Sequence, residues 1–158
     1  MKLDDRDLLI LKTLQREGRI TKAKLAEKVN LSPTPVWERL KRLEKAGLIE
    51  GYRAEISAKA LGPHVTVFVA VELEGHRAGD MRRFEAAVRE VDEITACWAL
   101  GGGFDYLCQV MARDIDRYQR LIDGLLDAEL GIARYFTYVV TKPVKSPGAL
   151  PLDLLAEG

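Results

Sequence analysis

Cysteine and histidine are scarce in this 158-residue sequence, which contains two of each. Cys97 and Cys108 form no CxxC motif, and a disulfide-stapled domain would need more cysteines in a shorter chain. The simplest interpretation is two buried, reduced cysteines in a cytoplasmic protein. His64 and His76 accompany no nucleophile–base–acid set and no metal-ligand spacing. The sequence therefore predicts neither an enzyme nor a metal site, and no cofactor.

Long apolar runs are also missing. The longest, residues 65–71, is interrupted by Thr66, whereas a membrane span needs about 20 apolar residues. The N-terminus is acidic where an export signal would be basic, so we expect a cytoplasmic location. The composition, 47% hydrophobic and 30% charged, is that of a globular chain.

The zero net charge hides an asymmetry along the chain. Residues 1–60 carry 14 Lys and Arg against 9 Asp and Glu, whereas residues 61–158 carry 10 against 15. A basic first part suits a polyanionic partner, although many solvated surfaces differ by as much. Leu61-Gly62-Pro63 adds a break in the chain. We therefore expect a first domain over residues 1–60 and a second over residues 61–142.

Two capped helices are predicted at the start of the first domain. Asp4 is the expected N-cap of the first helix, which Gly18 ends, and Thr21 caps the second. Asn30 follows in a tight turn, because Asn tolerates the left-handed backbone that such a turn needs. The inward-facing residues at helical spacing are Leu8, Leu11, Leu14, Leu25 and Val29.

The third helix combines an apolar stripe with a basic exposed face. Ser32 is its N-cap, Pro33 takes its first position and Gly47 ends it. The stripe consists of Val36, Leu40 and Leu43. A short turn followed by such a helix is typical of a helix-turn-helix, whose second helix enters the DNA major groove. The alternative is a three-helix bundle with a solvated charged face.

The exposed residues of the third helix are candidates for DNA contact. Those near its start would reach base edges or phosphates, and the later basic ones mostly phosphates, which gives affinity without sequence choice. Trp37 is expected to pack on a neighbour rather than on a base. The candidate DNA-binding residues are Ser32, Pro33, Thr34, Trp37, Glu38, Arg39, Lys41 and Arg42, with Lys45 as a further phosphate contact.

Residues 49–57 follow Gly47 and are rich in strand formers, with Gly51 as a bend. A short β-element directly after a recognition helix predicts the wing of a winged helix-turn-helix.

The second domain alternates strand and helix signals. Strands are predicted over residues 64–73, 94–100, 104–111 and 132–141, and helices over residues 77–91 and 115–126. The order βαββαβ is ferredoxin-like. The fold class is therefore α+β, an N-terminal winged helix-turn-helix plus a C-terminal ferredoxin-like βαββαβ domain. One sheet face stays partly apolar, which favours dimerisation.

Residues 143–158 hold three of the six prolines, so an extended C-terminal tail is expected. Its leucines, Leu150, Leu152, Leu154 and Leu155, would dock on a partner subunit, unless the tail is simply disordered.

Several runs of this sequence together resemble the leucine-responsive regulatory protein and asparagine-regulator (Lrp/AsnC) family of transcription regulators. The resemblance covers about residues 3–142 and is carried by GRIT at 18–21, LSPTPV at 31–36, GLI at 47–49 and GGFDYL at 102–107. It implies a winged-helix DNA reader, a βαββαβ domain that binds amino acids, and dimers that assemble into octamers. CWALGGGFDYL and ARYFTYVVTKPVK are most similar to regulators of proline catabolism. The DNA-contacting positions of the family fall on Ser32, Pro33, Thr34, Trp37, Arg39 and Arg42.

The resemblance also implies an effector site at the hairpin between the middle strands, here residues 101–105, closed by a neighbouring subunit. Glycine N–H groups suit an α-carboxylate, and Asp105 can pair with an α-ammonium. Many members carry a larger, often acidic residue at the position of Gly103, so the identity of the effector stays open. The alternative is that the three glycines form only a flexible hairpin. The candidate effector-binding residues are Gly101, Gly102, Gly103, Asp105, Tyr106 and Thr137, the last from a second subunit.

Two functions follow from the resemblance. The first is a sequence-specific transcription regulator whose DNA binding or assembly responds to an amino acid, with DNA, the effector and copies of the same chain as partners. The alternative is a nucleoid-type architectural protein that wraps DNA without sensing an effector. Asp105 would be dispensable in that protein.

Overall fold

The computed structural model describes residues 2–145 and 147–156, which group into two units. The first unit comprises the residues up to Ile56 and those from Lys145 onward, and the second is Ser57–Val144. The division after Ile56 lies just before the boundary predicted at residue 60. The C-terminal residues, predicted as a separate tail, group with the first unit.

Three helices open the first unit: α1 (Asp5–Arg16), α2 (Lys22–Lys28) and α3 (Pro33–Lys45). The predicted caps of α1 and α2 are confirmed. Asp4 accepts a hydrogen bond from the Asp7 N–H at 2.8 Å, and the Asp7 carboxylate accepts one from the Asp4 N–H at 3.2 Å. Thr21 accepts from the Lys24 N–H. These bonds satisfy donors that the first helical turn leaves unpaired.

The core of the first unit lies where the three helices meet. The predicted turn between α2 and α3 is confirmed, because Asn30 adopts a φ of 50°. Ile10, absent from the predicted stripe of α1, is fully buried, whereas Leu8 and Leu14 are only half-buried. The buried apolar residues are Ile10, Leu11, Leu25, Ala26, Val29, Val36, Leu40 and Leu43.

Residues 49–57 form no strand within this fully described stretch, so the predicted β-element of the wing is absent there. The physical reason is pairing: a strand needs a hydrogen-bonded neighbour. No described residue of the first unit belongs to a strand. Tyr52 instead donates a hydrogen bond to Glu44 Oε1 at 3.0 Å.

The second unit follows the predicted βαββαβ order after a short helix, α4 (Ala58–Leu61). Its elements are β1 (Val65–Leu73), α5 (Ala78–Arg89), β2 (Ile94–Ala99), β3 (Tyr106–Ala112), α6 (Ile115–Asp127) and β4 (Ile132–Val139). The strands are ordered β2-β3-β1-β4, and each adjacent pair is antiparallel. β1 and β3 are therefore the two middle strands of the sheet. The ferredoxin-like prediction is confirmed.

One face of the sheet lies under α5 and α6. Alternate residues of β1 and β3 point into this core, as the two-residue period of a strand requires. The buried core residues are Val67, Val69, Val71, Leu73, Phe84, Val88, Tyr106, Cys108, Val110, Ala112, Tyr118, Ile122 and Leu130. The opposite, open face exposes large apolar side chains, among them Trp98, Phe136 and Tyr138.

The tail differs from its prediction in the last turn, which forms the short helix α7 (Leu152–Ala156). Within the first unit, Leu152 packs on the helical core, and Lys12 Nζ donates to Asp153 Oδ1 at 2.5 Å. The Leu150 N–H donates to Gln15 Oε1 at 2.6 Å. The tail is therefore bound to α1 of its own chain.

Candidate functional site

The recognition helix α3 presents a polar face opposite its buried stripe. Thr34, Trp37, Glu38, Lys41 and Lys45 recur at helical spacing and are all exposed. Because residues three and four apart share one side of a helix, these side chains form a single row. This row is called the exposed row of α3 below.

Trp37 is held in the exposed row by two cations. Lys22 Nζ, from α2, lies 3.2 Å from the centroid of the Trp37 ring, and Lys41 Nζ lies 4.6 Å from it. A cation over an aromatic face is attracted by the ring quadrupole. Lys22, which the sequence reading did not select, thereby joins the candidate DNA surface. Its spacing from Trp37 along the chain gives no signal of this contact.

Arg39 and Arg42 point toward α1 rather than along the exposed row. Arg39 Nη1 donates to Asp4 Oδ2 at 2.6 Å and to Asp7 Oδ1 at 2.8 Å. Arg42 Nη2 lies 2.7 and 2.6 Å from the two Asp7 oxygens. The Asp7 carboxylate is 1% exposed and is the one buried charged side chain among the described residues. Two predicted DNA contacts therefore already bind carboxylates inside the unit.

This ion-pair network shifts the ionisation of its exposed members. The hydrogen bond from Arg39 holds the pKa of the Asp4 carboxyl below its usual value, and the Asp7 N–H acts in the same direction. Hydrogen bonds to Asp4 and then Asp7 raise the pKa of Arg39. Both shifts favour the charged forms of Asp4 and Arg39.

The start of α3 leaves one predicted contact free. Ser32 is the N-cap by backbone conformation, but its side chain makes no capping hydrogen bond. Its exposed hydroxyl and the positive end of the helix dipole lie at the same point, next to Pro33. Such an end favours a phosphate oxygen.

The glycine loop, residues 100–105, joins β2 to β3 and is longer than the predicted hairpin. β3 begins at Tyr106 instead of residue 104, and the Asp105 N–H before it donates to Val71 O at 2.9 Å. The Leu100 N–H closes the loop on Asp105 O at 2.8 Å. Among the described residues, none accepts a hydrogen bond from the N–H groups of Gly101, Gly102 or Gly103. These three residues are exposed.

The Asp105 carboxylate anchors the loop. Its Oδ2 accepts from the Leu73 N–H at 2.7 Å, and its Oδ1 lies 3.3 Å from His76 Nε2. The side chain is 16% exposed, so it is largely buried yet reachable from solvent. The sequence gives no local signal of the pairing between His76 and Asp105, because the two residues are 29 positions apart.

Tyr106 and Thr137 lie on the helix-facing side of the sheet. The Tyr106 hydroxyl donates to Glu85 Oε1 at 2.8 Å, and burial followed by this bond raises the pKa of Tyr106 to about 12. Thr137 Oγ1 lies 2.5 Å from the Tyr118 hydroxyl. Tyr106 directly follows the glycine loop, whereas Thr137 is on edge strand β4, beyond β1. The fold thus brings the loop, Asp105 and Tyr106 together, and leaves Thr137 apart within one chain.

Residues 2–145 and 147–156 contain no cluster of three or more potential metal ligands from His, Cys, Asp and Glu. None of their helices has the length and apolar character needed to cross a bilayer.

Two family models match the chain. A model of a winged helix-turn-helix DNA-binding domain matches residues 3–50, and a model of the Lrp/AsnC ligand binding domain matches residues 66–150. The first match lies within the first unit, and the second covers most of the second unit and continues into residues 145–150 of the first.

Curated relatives match over nearly the whole chain. The transcriptional regulatory protein DoeX of Halomonas elongata is 55% identical, and the match covers 99% of both chains. The leucine-responsive regulatory protein of Haemophilus influenzae is 39% identical, over 95% of this chain and 90% of the relative.

Solved structures show the same fold. A transcriptional regulator of Neisseria meningitidis, crystallised as a complex with L-Met, has a TM-score of 0.91 and 34% identity, covering 98% of this chain and 99% of that one. AsnC of E. coli has a TM-score of 0.84 and 27% identity, covering 93% and 97%.

Proposed function

Because this chain belongs to the Lrp/AsnC family of transcription regulators, we propose that the exposed row of α3 reads DNA and that the glycine loop binds the amino-acid effector. The chain is a DNA-binding transcription regulator with a helix-turn-helix domain and an amino-acid-binding domain. The architectural alternative, a DNA-wrapping protein without effector sensing, is not favoured by these relatives. The observation that carries the proposal is the combination, in one chain, of a solvent-facing recognition helix with a loop whose three exposed glycine N–H groups bind no acceptor among the described residues.

On the DNA side, the exposed row and the residues beside it would contact both base edges and phosphates. Ser32, Pro33, Thr34 and Trp37 lie near the start of α3, the end that approaches base edges in helix-turn-helix proteins. Lys41 and Lys22, already beside Trp37, would neutralise phosphates on either side of it. Glu38 follows in the same row, where a carboxylate can accept from a cytosine amino group.

Arg39 and Arg42 would act differently from the exposed row. Arg42 retains 49% side-chain exposure, so its free guanidinium edge can reach a phosphate while Asp7 holds the other edge. Arg39 is 26% exposed and bound to two carboxylates, so it would chiefly position the helix.

A binding experiment tests the DNA surface. A duplex selected from a random pool is compared with an unrelated duplex of equal length, by fluorescence anisotropy over a range of salt. Lys41→Ala should weaken both duplexes alike and reduce the salt slope by about one. Thr34→Ala should instead reduce the preference for the selected duplex. Lys59→Ala, an exposed lysine on α4, is the matched control and should change neither quantity.

On the effector side, the glycine loop and Asp105 offer complementary charges. The N–H groups of Gly101, Gly102 and Gly103 would bind the α-carboxylate, as backbone nests bind anions. Asp105 Oδ1 would release His76 and bind the α-ammonium in its place. Oδ2 would keep the hydrogen bond that it accepts from the Leu73 N–H. Tyr106 would fix the end of the loop, and Thr137 would come from another subunit.

Thermal melting against the twenty amino acids tests this assignment. A ligand at about 100 times its dissociation constant stabilises the folded form by about 2.7 kcal/mol. Asp105→Asn keeps an oxygen for the Leu73 N–H and removes only the charge, so it should abolish the shift without unfolding the loop. Asp92→Asn, exposed in the same unit, is the control. An effector shift that survives Asp105→Asn would remove the assignment. Proline is the effector that the subgroup resemblance favours.

Assembly would link the two sites. The open face of the sheet exposes apolar side chains whose contact with water is unfavourable, so we propose that a dimer forms through this face and that four such dimers assemble into an octamer. Effector binding would then shift the equilibrium between assemblies with different DNA affinity, a reciprocal coupling. Phe136→Asp should lower the mass measured by light scattering. Ile115→Asp, which charges an exposed apolar residue on α6, should leave it unchanged.

A further inference from the structure

The two cysteines of the chain meet across β2 and β3. Cys97 and Cys108 are direct partners in the antiparallel register, and their sulfur atoms lie 3.4 Å apart. Neither residue belongs to the DNA surface or to the glycine loop. Both are free thiols.

Their backbone positions suit a covalent bond. Directly opposed residues of an antiparallel pair have Cα atoms about 4.5–5.5 Å apart. Disulfides span Cα separations of about 4.4–6.8 Å. The strands therefore need no displacement to link these sulfur atoms, and side-chain rotation closes the remaining gap.

One of the two sulfurs is reachable from solvent. Cys97 is half-buried and lines an open groove of about 400 Å³ between α5 and β2, together with Glu85, Arg89 and Tyr106. Cys108 is 4% exposed and lies behind it in the core. A small solute in this groove thus meets Cys97, whereas Cys108 does not line the groove.

The hydrogen bond between the thiols shifts their pKa values in opposite directions. The Cys108 thiol donates to Cys97 Sγ, which lowers the pKa of Cys97 against the opposing effects of burial and Glu85. The same bond, then burial, raises the pKa of Cys108. The thiolate is the reactive form of cysteine. Cys97 is therefore the attacking group and Cys108 the resolving one.

We propose that Cys97 and Cys108 form an oxidisable dithiol, a modification site whose substrate class is small hydroperoxides. The Cys97 thiolate attacks the nearer peroxide oxygen, the O–O bond breaks, and the departing oxygen leaves as an alcohol or water after protonation. Cys97 becomes a sulfenic acid. The Cys108 sulfur then attacks the Cys97 sulfur, a disulfide forms, and water leaves with the Cys108 proton. Two thiols are oxidised and one peroxide is reduced.

The site lies where such a bond would matter mechanically. Among the described strands, β2 is an edge strand whose one neighbour is β3, and it leads directly into the glycine loop. A disulfide would fix the register of this hairpin two residues before its last pair, Ala99 and Tyr106.

The test treats the purified full-length protein with hydrogen peroxide and then reads intact mass, free thiols and a peptide map. The expected result is loss of both thiols, a mass decrease of two hydrogen atoms, one peptide pair linking Cys97 to Cys108, and full reversal by dithiothreitol. In Cys108→Ala, dimedone should label Cys97. Ala is chosen because Cys108 faces the core.

Three outcomes would overturn the proposal. They are two thiols that persist in peroxide, cysteines linked only between chains, and oxidation beyond the sulfenic acid without a disulfide. The wild-type readout does not depend on any variant folding. Its control is the same treatment after unfolding in guanidinium. There the strand register is lost, so the disulfide within one chain should form more slowly than in the folded protein.

Discussion

Asp7 offers the sharpest test of how the recognition helix is held. Its buried carboxylate accepts hydrogen bonds from Arg39, from Arg42 and from the Asp4 N–H. Asp7→Asn preserves the shape of the side chain, removes its charge and turns an amide toward two guanidinium groups. The free energy of unfolding of the first unit should therefore fall.

The magnitude follows from burial and exposure. Removing one partner of a buried ion pair costs about 3–5 kcal/mol, because an uncompensated charge remains. Here the remaining charges are the arginines, whose side chains are 26% and 49% exposed and can recover water. We therefore expect a loss of about 2–3 kcal/mol in the free energy of unfolding, below that range. With a urea dependence of about 2 kcal/mol per molar, the midpoint should fall by about 1–1.5 M.

The assay must report on the first unit alone. The chain has two tryptophans, Trp37 on α3 and Trp98 on β2. A Trp98→Phe background leaves Trp37 as the sole fluorescent reporter of helix unfolding. Asp5→Asn is the control, because Asp5 is exposed in the same helical turn and should cost below about 1 kcal/mol. If Asp7→Asn and Asp5→Asn unfold at the same urea concentration, the network does not anchor α3.

Three further predictions concern other parts of the chain. Gly102→Ala should lower the free energy of unfolding of the second unit by about 1 kcal/mol or more in thermal melting, because φ at this position is 152°. Gly103→Ala is the control and should be near neutral, because Gly103 has no positive φ. Stability from the Asp4–Arg39 pair should be present above the unfolded pKa of Asp4 and lost as pH falls through its lowered folded pKa; acid titration of Asp4→Asn should lack this component. Truncation before residue 147 should expose α1 and speed hydrogen exchange there, since Leu152 packs on that core.

Local signals in the sequence predicted most of the fold. Asp4, Thr21 and Asn30 occupy the cap and turn positions expected from side-chain chemistry that acts within three residues. Strand alternation around Val67 and the order of elements predicted the ferredoxin-like sheet. The wing did not follow this pattern, because strand formation depends on a pairing partner as well as on propensity.

The misassigned contacts are long-range ones. Asp7 lies in the first turn of α1, whereas its partners Arg39 and Arg42 lie 32 and 35 positions away in the sequence. The cysteine pair depends on strand register, and a shift between Ile94 and Ala96 sets which residue of β2 opposes Cys108. A register change of one residue reverses the face of every side chain, so spacing alone carries no information about such a pair.

The two sides of α3 have different freedom to evolve. Exchanging Arg39 or Arg42 disturbs Asp7 in the core, so a change there must be matched on α1 to preserve stability. Thr34 and Lys41 contact no core carboxylate among the described residues, and both positions are exposed, with Lys41 beside the Trp37 ring. Substitutions in the exposed row can therefore change which operator is bound one residue at a time. The ion pairs of Asp7 with Arg39 and Arg42 stay intact, so the stability of the first unit is preserved.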